Sequence, residues 1–84
     1  MDIKTALEGR EVCDKLHSDL SKLRYNPDLH KMLKNISNMV TEISKIEVGC
    51  RRTMSLIALE TPLKKLNEAV VHLQKLILIA QLME

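Results

Sequence analysis

The chain contains no tryptophan or phenylalanine and a single tyrosine, Tyr25. Without aromatic side chains, the core must be filled by Leu, Ile, Val and Met. That suits helix-on-helix packing better than an enzyme pocket, which usually draws on aromatic walls. Two glycines and two prolines in 84 residues leave little room for loops, and no glycine-rich phosphate cradle can be assembled from them. Cys13 and Cys50 are too few for a disulfide framework and read as two thiols in a reducing compartment. The opening residues MDIKTALEGRE are charged and lack the apolar run of a signal peptide. No window reaches 18 uncharged apolar residues, so no membrane span is expected. Together these features give the expectation of an intracellular protein, cytoplasmic or nuclear. A formal charge of +2 implies no strong pull toward nucleic acid or acidic membranes.

What is present is helical period. From Asn26 the apolar residues fall at Leu29, Leu33, Ile36, Val40, Ile43, Cys50, Met54 and Ile57, in steps of three and four, with Glu47 in the one missing slot. A second row, Met32, Met39 and Ile46, makes the stripe wider than a strict coiled-coil seam. Asn26 reads as a cap, Pro27 as the first helical residue, and Asp28 as a complement to the positive end of the dipole. Ahead of this stretch, Ala6, Cys13, Leu16, Leu20 and Leu23 mark a first helix over residues 2–24 with Asp2 as its cap. Gly9 lies on its apolar side, where it stands for fraying, a kink or a close helix crossing. After it, Thr61-Pro62 repeats the start signal, and Leu63, Leu66, Val70, Leu73, Ile77 and Ala80 mark a third helix over 62–84. The expected fold is therefore one all-α domain, an antiparallel bundle of three long helices at about 2–24, 27–59 and 62–84. Its connections are short, and a break at Gly49 would give a fourth helix.

Two features point to assembly. An unbroken central helix of about 32 residues extends roughly 48 Å, against roughly 34 Å for its neighbours, which leaves an apolar overhang at Cys50, Met54 and Ile57. The segment LILIAQLM, Leu76 to Met83, is apolar nearly all round, and such a helix needs covering on every side. The expected function is a non-enzymatic protein–protein interaction module that self-associates or serves as a subunit of a helical complex. Its interface is expected at Cys50, Met54, Ile57, Leu73, Leu76, Ile77, Ile79, Ala80, Leu82 and Met83. Glu47 is expected to lean to the edge of the stripe and pair with Arg51 or Lys45, or else to act with Arg51 as a specificity residue in a seam.

No enzyme signature appears: there is no supported Ser-His-Asp order and no carboxylate pair in a setting that would shift its pKa. Cys13 and His17 share a helical face, but two ligands do not make a zinc site, and neither a metal, a cofactor nor a small-molecule substrate is assigned. Arg51-Arg52 and Lys64-Lys65 give a nucleic-acid-binding bundle as a third reading, without the aromatic interleaving such surfaces use.

The segment KLHSDLSKLRYNPDLHKMLKNI, Lys15 to Ile36, resembles the opening helices of the integrase-binding domain of the lens-epithelium-derived and hepatoma-derived growth-factor-related chromatin proteins. The likeness is carried by Leu16-His17 with Ser18-Asp19-Leu20, then Leu23-Arg24, Pro27-Asp28-Leu29 and Lys31-Met32-Leu33. It covers about a quarter of the chain. It implies a monomeric adaptor that captures short linear motifs through its first inter-helical loop, here Tyr25 and Asn26. This loop is one residue shorter than the family's and lacks its acid, and the phenylalanine of the family's second loop has no counterpart.

Overall fold

The structure, a computed structural model, describes residues 2–53 and 57–84, and for residues 50–53 the backbone alone. It is all-helical among the described residues: α1 spans Ala6–Ser21, α2 Pro27–Thr53 and α3 Glu60–Met83, with a 3-10 turn at Ile57–Leu59 before α3. There is no strand among the described residues. The three helices pack into a rod of 48 × 17 × 16 Å.

The start of α1 is set by Thr5, not Asp2. Thr5 has extended backbone and its Oγ1 accepts the Glu8 N–H at 3.2 Å, the Thr-x-x-Glu spacing of a capping box. Residues 2–4 instead form a short strap. Buried Ile3 is held there by Asn67, whose Oδ1 accepts the Ile3 N–H at 2.7 Å while its Nδ2 donates to the Ile3 carbonyl at 3.0 Å. The same Nδ2 reaches the Leu63 carbonyl at 2.9 Å. At its far end α1 stops at Ser21, three residues short of Arg24, and the Lys22 and Leu23 N–H groups fold back on Asp19 and Leu20 carbonyls. The connection to α2 is correspondingly longer than expected. α2 opens as its sequence indicates: Asn26 Oδ1 accepts from Asp28 N at 3.0 Å and Leu29 N at 3.3 Å.

α2 runs through Gly49 without a break and is described as far as Thr53, while residues 57–59, expected to close it, form the 3-10 turn. A helical glycine costs only about 1 kcal/mol relative to alanine, too little to stop a helix whose stripe stays in phase. At 27 and 24 residues, the described α2 and α3 are nearly matched; of the overhang expected from the sequence, Met54 and the Cys50 side chain lie outside the described residues, and Ile57 stands exposed in the 3-10 turn. α3 begins at Glu60, ahead of Thr61-Pro62. Buried Leu59, with φ −85° and ψ −18°, leads in from the 3-10 turn already in helical geometry, and no side chain caps the start. Pro62 then lies in the first turn, where its missing N–H costs nothing.

The core holds only apolar side chains among the described residues. Leu16, Leu20, Ile36, Val40, Ile43, Leu66, Leu73 and Ile77 are its best-covered members. Gly9 sits where three segments converge. A Cβ there would lie 2.9 Å from Val40 Cγ2, 3.3 Å from Leu66 Cδ2 and 3.6 Å from Ile3 Cγ2, so of its three readings the close crossing is the one realised. Cross-helix pairs follow a consistent order. Between α1 and α2, Ala6 meets Glu47 and Arg10 meets Ser37 and Thr41, while Ile3 before α1 meets Asn67 on α3 and Arg24 after α1 meets Glu84 at the end of α3.

Candidate functional site

The last two turns of α3 divide into an inner and an outer face. Leu73 and Ile77 are 0% and 3% exposed and belong to the chain's own core, so their expected place in an interface is corrected: α1 and α2 already cover them. Leu76 and Ala80 are half-buried against the same core. The outer face is uncovered, with Leu78 59%, Ile79 53%, Leu82 87% and Met83 83% exposed. Of the expected interface, Ile79, Leu82, Met83 and Ile57 thus lie outward, and Leu78 joins them. Leu78 was legible as part of the all-round apolar run, and its spacing of seven from Val71 and four from Leu82 places the three on one side of α3. The side chains of Cys50, Met54 and Arg51 lie outside the described residues.

The α1–α2 connection meets the end of α3. Leu23, Leu29, Ala80 and Met83 give an apolar lining to a cleft of about 550 Å3, whose rim carries Arg24, Tyr25, Asn26 and Glu84. The Arg24 N–H donates to Glu84 Oε1 at 2.7 Å and closes this end. The two sets of residues that the sequence offered for different roles, the Tyr25–Asn26 loop and the Ala80–Met83 face, therefore share one place. Tyr25 is 76% exposed, and its ring leans on His30 with centroids 5.0 Å apart. Asn26 is less available, because its side-chain oxygen is committed to the cap of α2.

Of the two partners expected for Glu47, Lys45 is not taken, and the side chain of Arg51 lies outside the described residues. The Glu47 Oε2 accepts the Ala6 N–H at 3.2 Å, at the positive end of α1, and Lys45 instead pairs with Glu42 at 3.3 Å. A carboxylate here satisfies an orphan donor and complements the helix dipole. Lys64 and Lys65 are exposed, and the side chains of Arg51 and Arg52 fall outside the described residues.

Cys13 and His17 line a crevice between α1 and α2 that His30 also borders. No group of three or more metal-type ligands occurs among the described residues. Burial pushes the Cys13 thiol above its ordinary 9.0. Nearby Arg10 pulls it down and Asp14 pushes it up, both less than burial does. The result is a protonated, unreactive thiol rather than a nucleophile. No described helix is long and apolar enough to cross a membrane. Compared with protein-family models, curated proteins and solved structures, the chain matches none.

Proposed function

We propose that this chain is a non-enzymatic helical interaction module that associates with itself or with a helical partner through the outer face of α3's last turns. The observation that carries the reading is the adjacency of Leu78, Ile79, Leu82 and Met83, all more than half exposed on one short stretch of helix. Contiguous apolar surface of this kind marks an interaction site more often than scattered single residues do. Covering it returns roughly 25 cal/mol per Å2 removed from water. The up-down-up course of an antiparallel bundle accounts for the cross-helix pairs and leaves this face outermost.

Light scattering over a concentration series tests the reading. The wild-type mass is expected to rise above 9.6 kDa, and Leu82→Asp to return it toward the monomer with helicity unchanged. A mass of one chain at every concentration overturns self-association. A Leu82→Asp protein that associates like wild type removes this face from the interface.

A second reading is favoured by the cleft beside Tyr25: a monomeric adaptor of the chromatin-tether kind, seating a short apolar motif between Met83, Ala80 and the loop. Tyr25→Ala is then expected to abolish capture of such a peptide without changing mass or helicity.

A further inference from the structure

Along part of their seam α1 and α3 leave a groove of about 260 Å3 open, with Val12 and Leu16 on one wall and Ile77 and Leu78 on the other. At residues 2–4 the seam is instead filled by the N-terminal strap. The strap alternates as a strand does: Asp2 and Lys4 are exposed, while Ile3 between them is only 4% exposed. One side chain is therefore inserted, and its Cγ2 reaches the crossing at Gly9 where Val40 and Leu66 also converge. The backbone of the same residue is taken by one side chain. Asn67 Oδ1 accepts the Ile3 N–H at 2.7 Å and Nδ2 donates to the Ile3 carbonyl at 3.0 Å. A carboxamide that pairs with both backbone groups of one residue recognises extended main chain whatever side chain it carries. The second N–H of Nδ2 donates to the Leu63 carbonyl at 2.9 Å, one turn earlier on α3. That bond belongs to α3 alone and fixes which way the amide points. Oδ1 and the remaining N–H thus stay aimed at the strap position, whichever segment fills it.

We infer that the Ile3–Asn67 site is a receptor for an extended peptide segment of a partner protein, and that the strap is its resident occupant in the free chain. The occupant seen in place defines the ligand chemistry: extended backbone with one branched aliphatic side chain between two polar residues. Main-chain bonds give such contacts their affinity, and the side-chain pocket gives their specificity. Asp2 and Lys4 carry opposite charges into solvent, so the flanks of the ligand need neither sign. An empty site is unfavourable, because half-buried Asn67 would lose partners and the Ile3 pocket would become a void. Entry is therefore an exchange in which the incoming segment takes over the bonds of the strap one for one. A strap tethered beside its own site competes at millimolar effective concentration, so the free chain is self-inhibited. The site is separate from the apolar face of α3. Asn67 and Leu82 lie fifteen positions apart on that helix, about 22 Å at its rise per residue, and neither reading rests on the other.

The test supplies the strap in trans. Ile3→Ser withdraws the anchor within the full chain, and the probe is a synthetic peptide of residues 1–5, MDIKT. Titrated into isotope-labelled Ile3→Ser protein, the peptide is expected to shift the Asn67 side-chain amide signals and to raise the melting temperature. Wild type is expected to bind it at least roughly tenfold more weakly, because its own strap competes. The same peptide carrying Ile3→Asp is expected not to bind, and Asn67→Ala in the Ile3→Ser background to abolish the rise in melting temperature. Circular dichroism reports whether each variant is folded. If Ile3→Ser is unfolded, the peptide is expected to restore its helicity. A folded Ile3→Ser protein whose amide signals and melting temperature stay unchanged in millimolar peptide overturns the inference, as does an unfolded one that the peptide does not rescue. Equal binding of the Ile3→Asp peptide overturns it too, since the pocket then selects nothing. Capture of the intact wild-type chain without capture of the peptide makes the strap of a second copy the occupant and also overturns it. None of these outcomes alters the mass of the chain by itself, which is what tests the α3 face.

Discussion

The carboxylate of Glu47 reaches the backbone N–H of Ala6 across 41 positions of sequence and accepts from it at 3.2 Å. An acidic residue at the stripe position of α2 thereby becomes part of the N-terminal cap of α1. Removing it leaves a partly buried donor unsatisfied. Glu47→Ala is expected to cost about 1 kcal/mol, the usual worth of a cap with its dipole contribution. Glu47→Gln keeps an acceptor and loses the charge, so its midpoint in urea should fall between the two. Equal midpoints for wild type and Glu47→Ala would show that the contact contributes nothing.

The two glycines are expected to respond in opposite ways to alanine. At Gly9 the new methyl would stand 2.9 Å from Val40 Cγ2, a branched side chain held in the core, and overpacking of this kind typically costs about 1–3 kcal/mol. The gain in helix propensity, about 1 kcal/mol, offsets only part of that. At Gly49 the methyl meets nothing within 4 Å, so Gly49→Ala should stabilise by about 0.5–1 kcal/mol. Thermal melts of the two variants give the comparison directly.

Leu73 and Leu82 lie nine positions apart on α3 and should behave as residues of different kinds. Leu73 is fully covered, and Leu73→Ala is expected to cost about 2–5 kcal/mol through lost burial and a residual cavity. Leu82→Ala, measured where the chain is monomeric, should change stability by less than about 0.5 kcal/mol. Urea unfolding of both at one low protein concentration separates them. A large loss from Leu82→Ala in the monomer would mean the outer face is already covered.

Cys13 couples stability to alkaline pH. Burial raises its folded-state pKa above the ordinary 9.0, so the folded chain holds that proton more tightly than the unfolded one. The resulting stability is fully present below pH 9 and is lost as pH climbs through the folded-state value. Cys13→Ala should flatten the alkaline limb of a stability-against-pH curve. In a Cys50→Ser background, the Cys13 thiol should react with iodoacetamide in urea far faster than in native buffer.

The stripe of α2 was legible because its period is local: Leu29, Leu33, Ile36, Val40 and Ile43 declare one face by spacing alone, and all five are buried. Gly9 was not, because its meaning depends on Val40 and Leu66, which only the folded chain brings beside it. The Ala6 contact of Glu47 was hidden for a related reason. Charge patterns show other charges, and this donor is a backbone N–H, which every residue except proline carries. The run LILIAQLM announced that it needed covering but could not say which half α1 and α2 would cover, since an all-apolar helix has no polar side to mark the outside. Ile57 continues the period of α2 on paper, yet it lies in the 3-10 turn Ile57–Leu59, which buries Leu59 instead.

The Asn67 amide deserves to be seen as a fastener as well as a set of hydrogen bonds. It joins Ile3 to α3 across 64 positions, and the Arg24–Glu84 contact joins the far end of the same seam across 60. Both ties close rings that enclose most of the chain, so α1 and α3 are laced together at top and bottom while the groove between them stays open. The first turn of α1 then cannot fray without slackening α3. Amide exchange in the two helices should rise and fall together, and the seam opens as one unit rather than peeling from one side.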